Sequence, residues 1–75
     1  MSKNVSNFIC DWVFERTGIR IEESEDLFLV GRIDSLLFAE LIEVIEDKFL
    51  LELNFSELND WELARTPNGL ARLAE

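Results

Sequence analysis

The sequence predicts an all-α fold: a small four-helix bundle with three main helices, a short third one, and a long loop between helices one and two. Three observations carry that expectation. Apolar residues recur with helical periodicity in two long stretches. Capping residues, glycine and the single proline fall where those stretches start and stop. The chain has 75 residues, of which 48% are apolar, enough for one core and too few for a second. Residues 1–75 are therefore taken as a single domain. A chain of this size buries about 60% of the surface its unfolded form exposes. Its expected stability is roughly 4–11 kcal/mol.

The first helix follows from Val5, Phe8, Ile9, Trp12 and Val13, whose spacing puts them on one face. Ser2 is a suitable N-cap and Gly18 a suitable stop, which gives a helix over Lys3 to Thr17. Cys10 falls beside the apolar stripe and is taken as a small helix residue, not a reactive thiol. Residues 18–34 form the long loop, bracketed by Gly18 and Gly31, with Glu22, Glu23, Glu25 and Asp26 in its middle. A loop of that length in so small a domain needs a reason. Ile19, Ile21, Leu27, Phe28 and Val30 are the residues expected to pin it to the core.

The second helix, over residues 35–50, has the strongest signal. Asp34 is its expected N-cap, and Phe38, Leu41, Ile42, Ile45 and Phe49 fall in one sector at about 100° per residue. Leu36, Glu40, Glu43 and Asp47 lie opposite, with Ala39 and Glu46 on the margin. Lys48 suits the negative end of the helix dipole. Leu50 to Leu53 fit either a helix end or a buried linker. Asn54 or Ser56 then caps a short third helix, about Glu57 to Leu63, in which Trp61 is expected to be a core or groove-lining side chain. Thr66 and Pro67 are N-cap and first residue of a last helix, Pro67 to Ala74, with Leu70 and Leu73 inward.

Composition excludes several functions. Sixteen acids against seven bases leave a net charge of −9. That balance argues against nucleic acid, where a basic footprint supplies most of the affinity, and against anionic membrane surfaces. It favours protein partners with basic docking surfaces. One cysteine and no histidine exclude an internal disulfide, a cysteine metal cluster, a histidine-based triad and a histidine metal site. No apolar run reaches membrane-spanning length, and no secretory apolar segment follows Met1. The expectation is a soluble, cytoplasmic, monomeric protein that is not an enzyme. The acids Glu40, Glu43 and Asp47 share a helix face with no apolar pocket to tune them, and the glycines are too scattered for a phosphate loop.

One stretch stands out. Asp26-Leu27-Phe28 is followed by Gly31 and then by Asp34-Ser35-Leu36, which opens the second helix; Glu40-Leu41 and Glu46-Asp47-Lys48-Phe49 come after. This arrangement resembles the phosphopantetheine-attachment region of acyl and peptidyl carrier proteins, and the four-helix outline extends the likeness over nearly the whole chain. The resemblance implies that Ser35, with Asp34 beside it, carries a covalent 4′-phosphopantetheine arm taken from coenzyme A by a magnesium-using phosphopantetheinyl transferase. The arm's thiol then holds a substrate as a thioester. An adenylating ligase or acyltransferase would load it, and a downstream transferase or condensing enzyme would unload it. The chain itself catalyses nothing in this reading, which matches the lack of catalytic residues.

The residues make sense of such a role. A serine at a loop–helix junction is exposed, a helix N-terminus favours the anionic phosphodiester, and Gly31 allows unusual backbone on the approach. Leu36 and Ala39 offer an apolar docking patch, and Glu40, Glu43, Glu46 and Asp47 offer the charges that steer a partner. Phe55-Ser56-Glu57-Leu58 and Thr66-Pro67-Asn68 are similar to the matching segment of D-alanyl carrier proteins, with one residue more between the two elements. Stand-alone peptidyl and short-chain carriers share the pattern. Phe38, one turn from the serine in the core sector, is expected to fill space that a long acyl chain would need. The cargo indicated is therefore an aminoacyl or short acyl unit, in cell-wall modification or natural-product biosynthesis, with a fatty acyl or polyketide-type extender unit as the alternative. An acidic helical interaction module without a prosthetic group is the competing function.

Overall fold

The computed structural model describes residues 2–74, with side chains from Asn4 onward. Four α-helices follow one another: α1 (Ser2–Thr17), α2 (Ser35–Phe49), α3 (Leu58–Leu63) and α4 (Pro67–Leu73). No strand occurs among the described residues. Ser2 is already helical, one residue earlier than expected, and the capping assigned to its side chain lies outside the described residues. At the other end of α1, Gly18 adopts φ 77° and donates its amide to the Phe14 carbonyl at 2.8 Å, the left-handed stop that glycine makes cheap.

The core is shared by all the longer elements. Val5, Ile9, Trp12 and Val13 of α1 meet Leu41 and Ile45 of α2 and Leu70 and Ala71 of α4. The inward sector of α2 is narrower than its periodicity suggests. Leu41 and Ile45 are fully buried, while Phe38, Ile42 and Phe49 are half-buried at its edges. α1 packs chiefly on α4, so first and last helix close the bundle.

The loop over 18–34 is pinned from within. Ile21, Leu27 and Ile33 are buried, and Ile19 and Phe28 pack against them. Val30 does not help; it is exposed, because the turn over 27–30 directs it outward. Gly31 has a different purpose from the one expected. Its φ is not positive, but a Cβ there would lie 2.7 Å from the Leu27 carbonyl oxygen, so glycine is needed for close approach. The left-handed residue is its neighbour Arg32, at φ 59°. Glu23 of the acidic run is not merely solvated: it accepts a hydrogen bond from the buried Ser6 hydroxyl at 3.1 Å, and its carbonyl accepts the Asn68 amide at 3.0 Å.

Past α2 the chain turns through Leu50, whose φ and ψ are both 54°, and the Leu51 amide reaches back to the Glu46 carbonyl at 3.1 Å. α3 is capped neither by Asn54 nor by Ser56. Glu57 is the N-cap, and the Asp60 carboxylate accepts the amides of Glu57 and Ser56 at 3.0 and 3.1 Å. The Asp60 carboxylate thereby supplies the third-position half of a capping box, reaching back to the N-cap amide. Trp61 is not in the core; it is 52% exposed and stacks on Phe55 with ring centroids 4.6 Å apart. None of the α3 residues is buried, since a six-residue helix has too few turns to turn one face inward. Thr66 caps α4 as its sequence predicts, accepting the Gly69 amide at 3.0 Å with Pro67 at the first position.

Candidate functional site

Ser35 is the first residue of α2 and is exposed. The turn beneath it is fixed by Asp34, whose backbone is extended and whose carboxylate accepts the Leu37 amide at 2.9 Å. The Asp34 carbonyl takes the Phe38 amide, also at 2.9 Å. The amides of Ser35 and Leu36 are left at the open end of the helix, as helix geometry dictates. Among the described residues none hydrogen-bonds the Ser35 hydroxyl. The result is a free hydroxyl standing on a well-anchored first turn, at the positive end of a 15-residue helix.

The segment that delivers the chain to this turn is held by Asp26. Its Oδ1 accepts the amides of Phe28 and Leu29 at 2.8 and 3.0 Å, and its Oδ2 accepts from Arg65 Nε at 2.7 Å. Burial alone would raise the carboxyl's pKa, but the Leu29 amide, the Arg65 guanidinium and the Phe28 amide outweigh it and hold the group below its ordinary value. Leu27 donates to the Arg65 carbonyl at 2.6 Å, and Ile33 donates to the Leu27 carbonyl at 3.1 Å. Arg65 was not legible in the sequence as part of this region. Asp26 carried a partial signal, as an aspartate placed to cap its own turn two residues on.

Along the outer face of α2, Leu36 is 74% exposed, and Ala39, Glu43 and Asp47 also face solvent. Glu40 is exposed but engaged, with Oε2 3.1 Å from Arg16 Nη1 on α1. Glu46 lies on the margin of this face, as its place in the helix implies. It is half-buried, and its Oε2 accepts the Leu53 amide at 2.8 Å, so much of its bonding capacity secures the chain after α2. Glu43, Val44, Glu46 and Asp47 line a shallow depression of about 540 Å³ on this side. Open to water and lined by acids, it favours basic side chains over an apolar ligand.

On the other side of α2 the rings of Phe28, Phe38, Phe55 and Trp61 form a row. Successive centroids are 5.3, 6.3 and 4.6 Å apart. Phe38 is half-buried, less deep than its sector implied, yet it occupies the space between the loop and the segment leading to α3. Among the described residues no helix is long and apolar enough to cross a membrane.

The family profile described as phosphopantetheine attachment site matches residues 8–74 of the 75. No curated protein and no solved structure gives a match.

Proposed function

Because the chain belongs to the phosphopantetheine attachment-site family, the carrier proteins that bear a covalent 4′-phosphopantetheine, we propose that residues 1–75 are one carrier domain and that Ser35 is its attachment residue. The observation that carries the assignment is the free, exposed Ser35 hydroxyl at the first position of a capped helix. Its Oγ would form the phosphodiester while the pyrophosphate of coenzyme A is split and the adenosine bisphosphate half leaves. The hydroxyl proton would pass to a base of the phosphopantetheinyl transferase. The open amides and dipole of α2 favour the anion so formed by about 0.3–1 kcal/mol. Asp34 fixes the turn on which the serine stands. When bound, the arm supplies a terminal thiol that holds the cargo as a thioester.

The chain's own part in this reading is presentation. It performs no catalysis and lends its substrate to a loading ligase or acyltransferase and then to a downstream transferase or condensing enzyme. Leu36 and Ala39 would supply apolar contact to such partners, and Glu40, Glu43 and Asp47 would steer their basic surfaces, with Glu46 contributing less because Leu53 occupies it. The carrier is read as a monomer working in the cytoplasm. The aromatic row beside α2 supports an aminoacyl or short acyl cargo, since a long chain would have to displace Phe38 from between Phe28 and Phe55. A fatty acyl chain threaded past Phe38 in a structure of the loaded protein would defeat that cargo assignment.

The test is intact mass after incubation with a broad-specificity transferase, coenzyme A and magnesium. Wild type should gain one phosphopantetheinyl group and Ser35→Ala none. A wild type left unchanged by a transferase that modifies a control carrier would turn the assignment toward an acidic interaction module. Reversing Glu43 and Asp47 to lysine should slow loading without changing the helical content. Unchanged loading would make that face merely solvated.

A further inference from the structure

A single residue 39 positions away grips the segment that leads into Ser35. Arg65, in the turn between α3 and α4, donates Nε to Asp26 Oδ2 at 2.7 Å and accepts the Leu27 amide on its carbonyl at 2.6 Å. Its guanidinium also lies over the Phe28 ring, 5.3 Å from the centroid. Phe28 in turn meets Phe38, one helical turn beyond the serine, at 5.3 Å. Charge, backbone and stacking therefore act on three consecutive residues, 26, 27 and 28. The next residue, Leu29, has no such anchor for its side chain and stands 76% exposed.

Resting on the reading of Ser35 as the attachment residue, we infer that Arg65 is a positioning residue for its modification: it holds residues 26–31 against the α3–α4 turn, so that the exposed Leu29 and the serine reach the transferase as one preformed surface. Ser35 itself lies inside α2 and is held by Asp34, so losing Arg65 leaves the hydroxyl's own setting intact. What is lost is the order of the loop beside it. Arg65→Ala keeps the carbonyl that Leu27 uses but removes the ion pair and the stack. A partly exposed pair such as this shifts a local equilibrium by up to about five-fold, and apparent affinity falls with the ordered fraction, so that factor is the ceiling on the loss.

The effect should therefore appear in KM and not in kcat. With a phosphopantetheinyl transferase and coenzyme A, Arg65→Ala should raise the KM for the carrier measurably, by no more than about five-fold, with kcat unchanged. Arg65→Lys, which keeps the charge, should recover part of the loss. Amide hydrogen exchange on the unmodified proteins gives a second readout: the Phe28 and Leu29 amides should exchange faster in Arg65→Ala, while those of α1 should not. An unchanged KM in Arg65→Ala, or a loss confined to kcat, overturns the positioning role even if exchange is faster. A global rise in exchange, with Arg65→Lys behaving like Arg65→Ala, would make the residue a general support and also overturn it. A wild type that takes no group fails the Ser35 assignment itself, a result separate from any comparison of variants.

Discussion

Replacing Asp34 with alanine removes the one side chain that closes the first turn of α2. Its carboxylate accepts the Leu37 amide at 2.9 Å, and among the described residues no other side chain does so. Alanine at a helix N-cap costs about 1 kcal/mol. Loss of the negative charge at the positive end of the helix adds a few tenths more, screened because Asp34 is exposed. A domain of this size loses roughly 4–8 °C in Tm per kcal/mol. Asp34→Ala should therefore melt about 5–10 °C below wild type in a circular-dichroism scan. Asp34→Asn keeps an acceptor oxygen at the same place and should stay within about 2 °C. Modification should follow the same order. Followed by intact mass over time, Asp34→Ala should take up phosphopantetheine more slowly, because a frayed first turn no longer fixes Ser35, and Asp34→Asn should approach wild type. Equal Tm values for wild type and Asp34→Ala would refute the capping argument. Equal and large losses for alanine and asparagine would show that the charge, not the cap, is what the site needs.

Four other perturbations have defined outcomes. Leu50 holds a left-handed conformation at 89% exposure, so Leu50→Gly removes strain of about 1–2 kcal/mol at little cost in burial; after glycine's extra chain entropy the gain should be about 0.5–1 kcal/mol, read as a higher urea midpoint. Gly69 faces the Leu63 carbonyl so closely that a Cβ would overlap it, and Gly69→Ala should lose about 3 kcal/mol as α3 and α4 are forced apart, visible as an early thermal transition. The folded Asp26 carboxyl lies below its ordinary 3.8, so it adds stability above that pH and loses it as pH falls through the lower folded value; the acid limb of a stability–pH curve should flatten in Asp26→Asn. Burial first, and then the nearby carboxylates of Glu23, Asp11, Glu22 and Glu25, push the Cys10 thiol above its usual value. Iodoacetamide at neutral pH should therefore label Cys10 much more slowly than a free cysteine, and in the phosphopantetheinylated but unloaded carrier should prefer the arm's thiol, as peptide mapping would reveal.

What was legible in the chain is what depends on neighbours in sequence. The stripe Val5, Phe8, Ile9, Trp12, Val13 announces α1, Gly18 its end, Asp34 the start of α2, and Thr66-Pro67 the start of α4. These signals work because a helix and its caps close within four residues. The Asp34-Ser35-Leu36 step is legible for the same reason, and with it the candidate site. Where local rules gave more than one answer, the outcome turned on distant partners. Trp61 had the pattern of a core or groove-lining residue; α3 is too short to bury it, and it stacks on Phe55 at the end of the aromatic row. Glu46 had a place on the margin of the acidic face, and the chain returns at Leu53 to use its carboxylate, a partner that helical spacing does not reveal.

The amino-acid sequence by itself determined an all-helical domain with one serine at the head of its strongest helix. The tertiary structure alone decided which of its charges are free. Arg16 reaches Glu40 across 24 residues, and Arg65 reaches Asp26 across 39. Neither pairing has any mark in the spacing of the chain. Hydrophobic periodicity is set by the repeat of the backbone, whereas an ion pair needs two charges brought together by folding, and only the packing of α1 on α2 and of the loop on the α3–α4 turn does that.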